Sequence, residues 1–244
     1  VSQTGGSSTV TEGGSTDLIT VVLDAQPTSN VVLSVVSADT GEATASPSTL
    51  TFTPTNWDTA QTITVTGVDD DLVDGTQTST VTLSVVDASS DNDFDGVTDQ
   101  TVSVSTTDDD TAGFTVSQTG GSSTVTEGGS TDLITVVLDA QPTSDVVISV
   151  ASSDTDEVTV SDATLTFTAA NWDTAQTITV TGVDDDLVDG TQISTVTLSV
   201  VDASSDDSFD NASDGTVSVS TTDDDTAGFT VSQTDGSSTV TEGG

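Results

Sequence analysis

The stretch VSQTGGSSTVTEGGSTDLITVVLDAQPTS begins at Val1 and again at Val116, and VSQT with SSTVTEGG returns from Val231. A period of 115 residues is the size of a domain rather than of a solenoid repeat, so the chain must set the same fold down in series. It divides into 1–111, a first copy whose leading strand is incomplete, 112–226, a second copy, and 227–244, the first-strand region of a third. The chain opens without a Met and stops inside a copy. Two readings follow: a window from a longer array, which the sequence favours, or a subunit built to join others end to end.

Within a copy, apolar residues alternate with Thr and Ser in β-branched runs bounded by turn residues, the pattern of half-buried strands. In the second copy the runs are Gly113 to Val116, Leu133 to Leu138, Val146 to Val150, Thr164 to Thr168, Gln176 to Val183, Ser194 to Val201 and Thr216 to Ser220, with a short extra run at Ser123 to Thr126. Turns such as DAQPTSD and AANWD separate them, and no helical period occurs. Seven or eight short strands in about a hundred residues predict an all-β chain of tandem Ig-like Greek-key β-sandwiches. The connection STTDDDTAGFTVS has no flexible spacer, so successive domains of about 115 residues should touch and form a rod or filament.

Charge narrows the function. The chain carries 41 Asp and Glu and no Lys, Arg or His, a formal charge of −41. Nucleic acid and anionic membranes need a basic footprint, so both are poor partners. No side chain can form an internal ion pair with these carboxylates. Each crowded acid must be solvated, protonated or held by an external cation. Only five acids are Glu, and the Asp excess fits turns and short-stemmed cation ligands. Cysteine is absent, which leaves metal as the remaining staple for a small all-β domain.

The acids are crowded in defined places. VTGVDDDLVDG spans Val65 to Gly75 and returns unchanged at Val180 to Gly190, and DDD closes the last strand at Asp108 to Asp110 and Asp223 to Asp225. Both strands run towards one pole of a sandwich, where their ends can converge. Glu12 and Glu127 stand where the first strand region turns back. A second acidic loop, DASSDNDFDG (Asp87 to Gly96), contains a D-x-D-x-D-G run. It lacks the Glu that completes a calcium loop, and an exposed Asp-rich turn is an equal reading.

VTEGG…LTFTPTNWDTAQTITVTGVDDDLVDGTQTSTVTLSVV…STTDDDTAGFTVS resembles the Calx-β domain family over nearly the whole unit. That resemblance implies calcium bound at the domain's end by an early Glu, an Asp-Asp loop with a further acid, and a terminal DDD before AGF. Carried over, it implicates Glu12, Asp69, Asp70, Asp74, Asp108, Asp109 and Asp110, and in the second copy Glu127, Asp184, Asp185, Asp189, Asp223, Asp224 and Asp225. Asp71 and Asp186 fall inside the same motif. The family's further ligand before the fourth strand is missing from the shortened ADTGEATASPS and SDTDEVTVSD, where Asp39 or Glu42, and Asp154 or Glu157, are the substitutes.

The chemistry of the donors agrees. Ca²⁺ takes six to eight oxygen ligands, so this many acids suits two or more ions per repeat. Mg²⁺ prefers few carboxylates, and Zn²⁺ and iron lack their His or Cys ligands. An enzyme is the least favoured class, since no Lys, His, Cys, Arg or Tyr offers a base, nucleophile or oxyanion partner. The expected function is a calcium-stabilised extracellular fibre, an adhesin stalk or biofilm-matrix filament, whose partners are neighbouring copies of itself. The alternatives are a calcium-dependent adhesion module for carbohydrate or protein, and a halophile's solubilising acidity. For a true subunit, TAGFT near the C-terminus can complete the first domain of the next subunit by β-strand addition.

Overall fold

The computed structural model describes residues 2–3 and 8–233, with 236, 240, 242 and 243 beyond them. The first unit contains β1 (Ser2–Gln3), β2 (Ser8–Thr11), β3 (Thr16–Val21), β4 (Val31–Ser37), β5 (Ala43–Ser46), β6 (Thr49–Phe52), β7 (Gln61–Gly67), β8 (Gln77–Val85) and β9 (Gln100–Thr107). The second repeats it as β10 (Phe114–Gln118), β11 (Ser123–Thr126), β12 (Thr131–Leu138), β13 (Val146–Ser152), β14 (Val158–Val160), β15 (Thr164–Phe167), β16 (Gln176–Gly182), β17 (Gln192–Val200) and β18 (Gly215–Thr222).

Alternation builds each sheet face. In β7, Ile63, Val65 and Gly67 turn inward while Thr62, Thr64 and Thr66 lie outward or at the margin. One sheet of the first unit has the order β1-β3-β7-β5 and the other β2-β9-β8-β4-β6, and the second unit copies both. Every connection from β3 to β8 changes sheet, and β8 to β9 stays within one. That crossing pattern makes the fold an Ig-like Greek-key sandwich. Phe52 and Ile63 are fully buried in the first core, as Phe167 and Ile178 are in the second.

Two elements escape the periodicity reading. β14 pairs with β16 from Val158↔Gly182 to Val160↔Val180, but three residues are too few to display a period. The acidic loops after β8 and β17 each wind into two short 3-10 turns. Trp172 packs against the second core, and the half-buried Trp57 accepts a backbone hydrogen bond from Leu23 at 3.2 Å. Residues 223–233 form no strand, and the remainder of the region expected to open a third copy lies largely outside the described residues.

The units touch where they join. The Gln141 amide donates to the Asp71 carbonyl at 2.6 Å, Leu72 makes a parallel bridge to Gln141, and Ser208 Oγ reaches the Val73 carbonyl at 3.4 Å. Thus the loop holding Asp69 to Asp74 abuts the second unit. Among the described residues, no helix is long and apolar enough to cross a membrane.

Candidate metal centre

Strand register brings the acids together. Parallel pairing of β2 with β9 ends at Thr11↔Thr107, which sets Glu12 beside the chain leading into Asp108. Antiparallel pairing of β5 with β7 begins at Ala43↔Gly67, so Glu42 meets the start of the Asp69 loop. The backbone fastens these ends: the Glu12 amide donates to Thr107 and the Val68 amide to the Glu42 carbonyl. Gly67 makes the approach possible, because a Cβ there would lie 2.0 Å from the Thr11 carbonyl oxygen. Gly182 does the same in the second unit, at 2.2 Å from Thr126. Gly13, at φ +71°, turns the chain past the carboxylates of Asp109 and Asp69.

Some acids are placed as scaffolding. Asp108 accepts from the Asp110 amide at 2.8 Å and the Gly75 amide at 2.7 Å, tying the last strand's end to the loop. Asp223 repeats both bonds with Asp225 and Gly190, and they hold its carboxyl below the ordinary carboxylate range. Asp70 accepts from the Leu72 amide and Asp185 from the Leu187 amide, so each closes its own loop.

What remains is a set of buried carboxylates without partners. Glu12 is 2% exposed, and neither of its side-chain oxygens has a hydrogen bond. Oxygens of Glu42, Asp74 and Asp110 are buried and unpartnered in the first unit, as are oxygens of Glu127, Glu157 and Asp225 in the second. Ligand oxygens of Glu12, Glu42 and Asp70 lie within 4.8 Å of one another, and so do those of Glu12, Asp109 and Asp110. The second unit groups Glu127 with Asp223 and Asp225, and Glu157 with Asp185 and Asp189. Asp69, Asp71, Asp74 and Asp108 stand around these groups rather than in them, as do Asp184, Asp186 and Asp224. Asp71 and Asp186 are exposed.

The electrostatics follow from this crowding. Burial, then Asp70, Asp108, Glu42 and Asp74, push the Glu12 carboxyl up to about 7. Burial, and then Asp74 and Asp70, raise Glu42. Burial followed by neighbouring aspartates raises Asp110, Glu127, Glu157 and Asp225. Two carboxylates about 4 Å apart repel by roughly 1 kcal/mol in water and roughly 4 at an effective dielectric of 20. With no basic side chain in the protein, a hard cation is the partner these oxygens fit.

Glu42 and Glu157 complete these groups, and the scarcity of Glu is their signal. Of five in the chain, Glu12, Glu42, Glu127 and Glu157 all face the two centres. The other acidic loop behaves differently. Asp91 accepts from the Thr28 amide at 2.6 Å, its hydroxyl at 2.8 Å, the Ser29 amide at 2.9 Å and the Asp93 amide at 3.1 Å. It is a staple between two loops at the opposite pole, and those bonds hold its carboxyl down to about 2. Asp206 repeats it: burial pushes its carboxyl up, but bonds from Ser208, Thr143 and Ser144 outweigh that and lower it. Among the described residues no metal-sized acidic group forms in this loop.

No protein-family model matches the chain, and no curated protein does. Among solved structures it is similar to CBD12 from CALX1.2, at 15% identity and a TM-score of 0.33 over 82% of this chain and 78% of that one. It is also similar to the calcium binding domain CBD12 of CALX1.1, at 16% and 0.31 over 81% and 78%. Domains 4 and 5 of the S-layer protein SbsC match at 16% and 0.35 over 78% and 70%. With scores this low, the fold described above rests on its own strand pairing.

Proposed function

We propose that the chain is a structural, non-enzymatic element of an extracellular fibre, an adhesin stalk or biofilm-matrix filament, whose sandwiches are stiffened by Ca²⁺ next to their junctions. The observation that carries this reading is Glu12 with its counterpart Glu127: buried carboxylates that no cationic side chain can neutralise. Glu12, Glu42, Asp70, Asp109 and Asp110 would hold the ions in the first unit, and Glu127, Glu157, Asp185, Asp189, Asp223 and Asp225 in the second. The bound ion supplies charge neutralisation. The chain supplies the rest: Asp108 pins the Gly75 turn, and Asp70 shapes the backbone that leads to Leu72 and its bridge to Gln141. A self-repelling loop becomes a fixed one, so binding free energy enters as folding free energy and as stiffness at the junction.

Thermal unfolding in about 1 mM CaCl₂, in excess EGTA, and with MgCl₂ as control tests the proposal in the calcium range of extracellular modules. A large calcium-specific rise in Tm supports it. Identical melting in all three would leave the acids as solvated turns and point to halophile-type acidity.

A further inference from the structure

The contact between the units is made by carbonyls on one side and by donors on the other. The loop from Asp69 to Asp74 supplies Asp70 to the metal centre and offers the carbonyls of Asp71 and Val73 to the second unit. The second unit answers with the Gln141 amide at 2.6 Å and the Ser208 hydroxyl at 3.4 Å. This donor face is fastened to the connection between the units. The Asp139 amide donates to the Gly113 carbonyl at 2.9 Å, and the Asp139 carboxylate accepts from the Thr115 hydroxyl at 2.7 Å.

One donor is common to both units and the other is not. Gln141 has its match in Gln26, and the loop DDDLVDG is the same in both copies. Ser208 is matched by Asp93, because DASSDDSFDN in the second copy reads DASSDNDFDG in the first. The backbone at the two positions does the same work. The Ser208 amide donates to Asp206 at 3.0 Å and the Asp93 amide to Asp91 at 3.1 Å, each within a staple of one design. The side chains differ in what they can give. The Ser208 hydroxyl stands between the Asp206 carboxylate at 2.6 Å and the Val73 carbonyl at 3.4 Å, and it brings the one side-chain proton among them. An ionised aspartate accepts and does not donate. In that place it would set a carboxylate against a second carboxylate and a carbonyl, with no Lys, Arg or His in the chain to relieve them.

We propose that position 208 selects which units can seat against a preceding DDDLVDG loop: serine admits the seat described above, and aspartate, which the first unit carries as Asp93, bars it. Attraction comes from features the copies share, the Gln141 amide and the bridge from Leu72 to Gln141. Discrimination comes from a repulsive group, the cheaper way to exclude a wrong neighbour. The copies are then alike in fold but not interchangeable in order. This inference needs neither the fibre nor the cation of the reading above.

The test is pulsed dipolar spectroscopy on the 244-residue chain, which has no native cysteine, with spin labels on Ser103→Cys and Ser218→Cys. Both positions are exposed and occupy matching places in β9 and β18. The labelled chain should give one narrow distance distribution, and Ser208→Asp should widen it about two-fold. Ser208→Asn, equal in size to the aspartate but able to donate, should stay narrow, and so should Asp93→Ser, which lies away from this junction. A Ser208→Asp distribution as narrow as that of the parent would overturn the proposal. So would equal widening by Ser208→Asn, since shape and not the missing proton would then be the cause. The series is run in excess EGTA and in about 1 mM CaCl₂. A parent width that ignores calcium, with Ser208→Asp wider in both conditions, would remove calcium stiffening and leave the selection of neighbours standing.

Discussion

The two units share most of their residues and all of their strand order, yet the same position differs in burial between them along β3 and β12. Leu138 and Phe209 are buried where Leu23 and Phe94 are partly wet, although Leu23 and Leu138 sit in the same local sequence. In the second unit, β10 lies along β12 for five residues, Phe114–Gln118, and Phe114 and Val116 pack against that core. The metal centres show the opposite behaviour. Their acids gather in both units, because the ends of β2, β7 and β9 meet without help from β1 or β10.

The strongest way to break the likeness of the two centres is to remove the cation from both. A site saturated a thousandfold above its Kd adds about 4 kcal/mol. Chelation should therefore lower Tm by about 10 °C or more in calorimetry, at about 2–4 °C per kcal/mol. Next comes the core. Phe209→Ala should cost about 3–5 kcal/mol in urea unfolding, since it empties a closed core, and Phe94→Ala only about 1–2 kcal/mol.

A smaller effect separates repulsion from ligation. Glu12→Gln should raise Tm in EGTA by a few degrees, because a carboxylate crowded by Asp70 and Glu42 is gone. The same change should reduce the calcium-induced rise by about half, one centre of two being weakened. The smallest effect is one of pH. Asp91 is ionised in the fold down to about 2, against 3.8 for the free side chain. Its contribution is complete above about pH 4 and vanishes as pH falls towards 2. The stability gap between the wild type and Asp91→Asn should close across that window. Asp206, held lower still, should lose its contribution at more acid pH than Asp91.

Much of this architecture is legible in the order of residues. Alternating Val, Ile and Thr mark β7, β8, β12, β13, β16 and β17, because inward and outward positions follow a period of two along the strand itself. The crowding of Asp69 to Asp74 and Asp108 to Asp110 stands out as an excess of like charge with nothing to oppose it. β14 is not legible in this way, as a three-residue edge strand exists only through its pairing with β16. Nor can composition tell Asp91 from Asp110: both lie in acidic runs, but one accepts four hydrogen bonds across loops and the other is left with a buried, bare oxygen.

By itself, then, the sequence determined the repeat, the strand periods and the absence of any internal counter-charge, since each is a property of neighbours along the chain. Tertiary structure alone decided which acids lose their water and which loop is a staple. Those outcomes depend on pairings such as Thr11 with Thr107 and Phe114 with Leu138, between segments whose meeting no local pattern encodes.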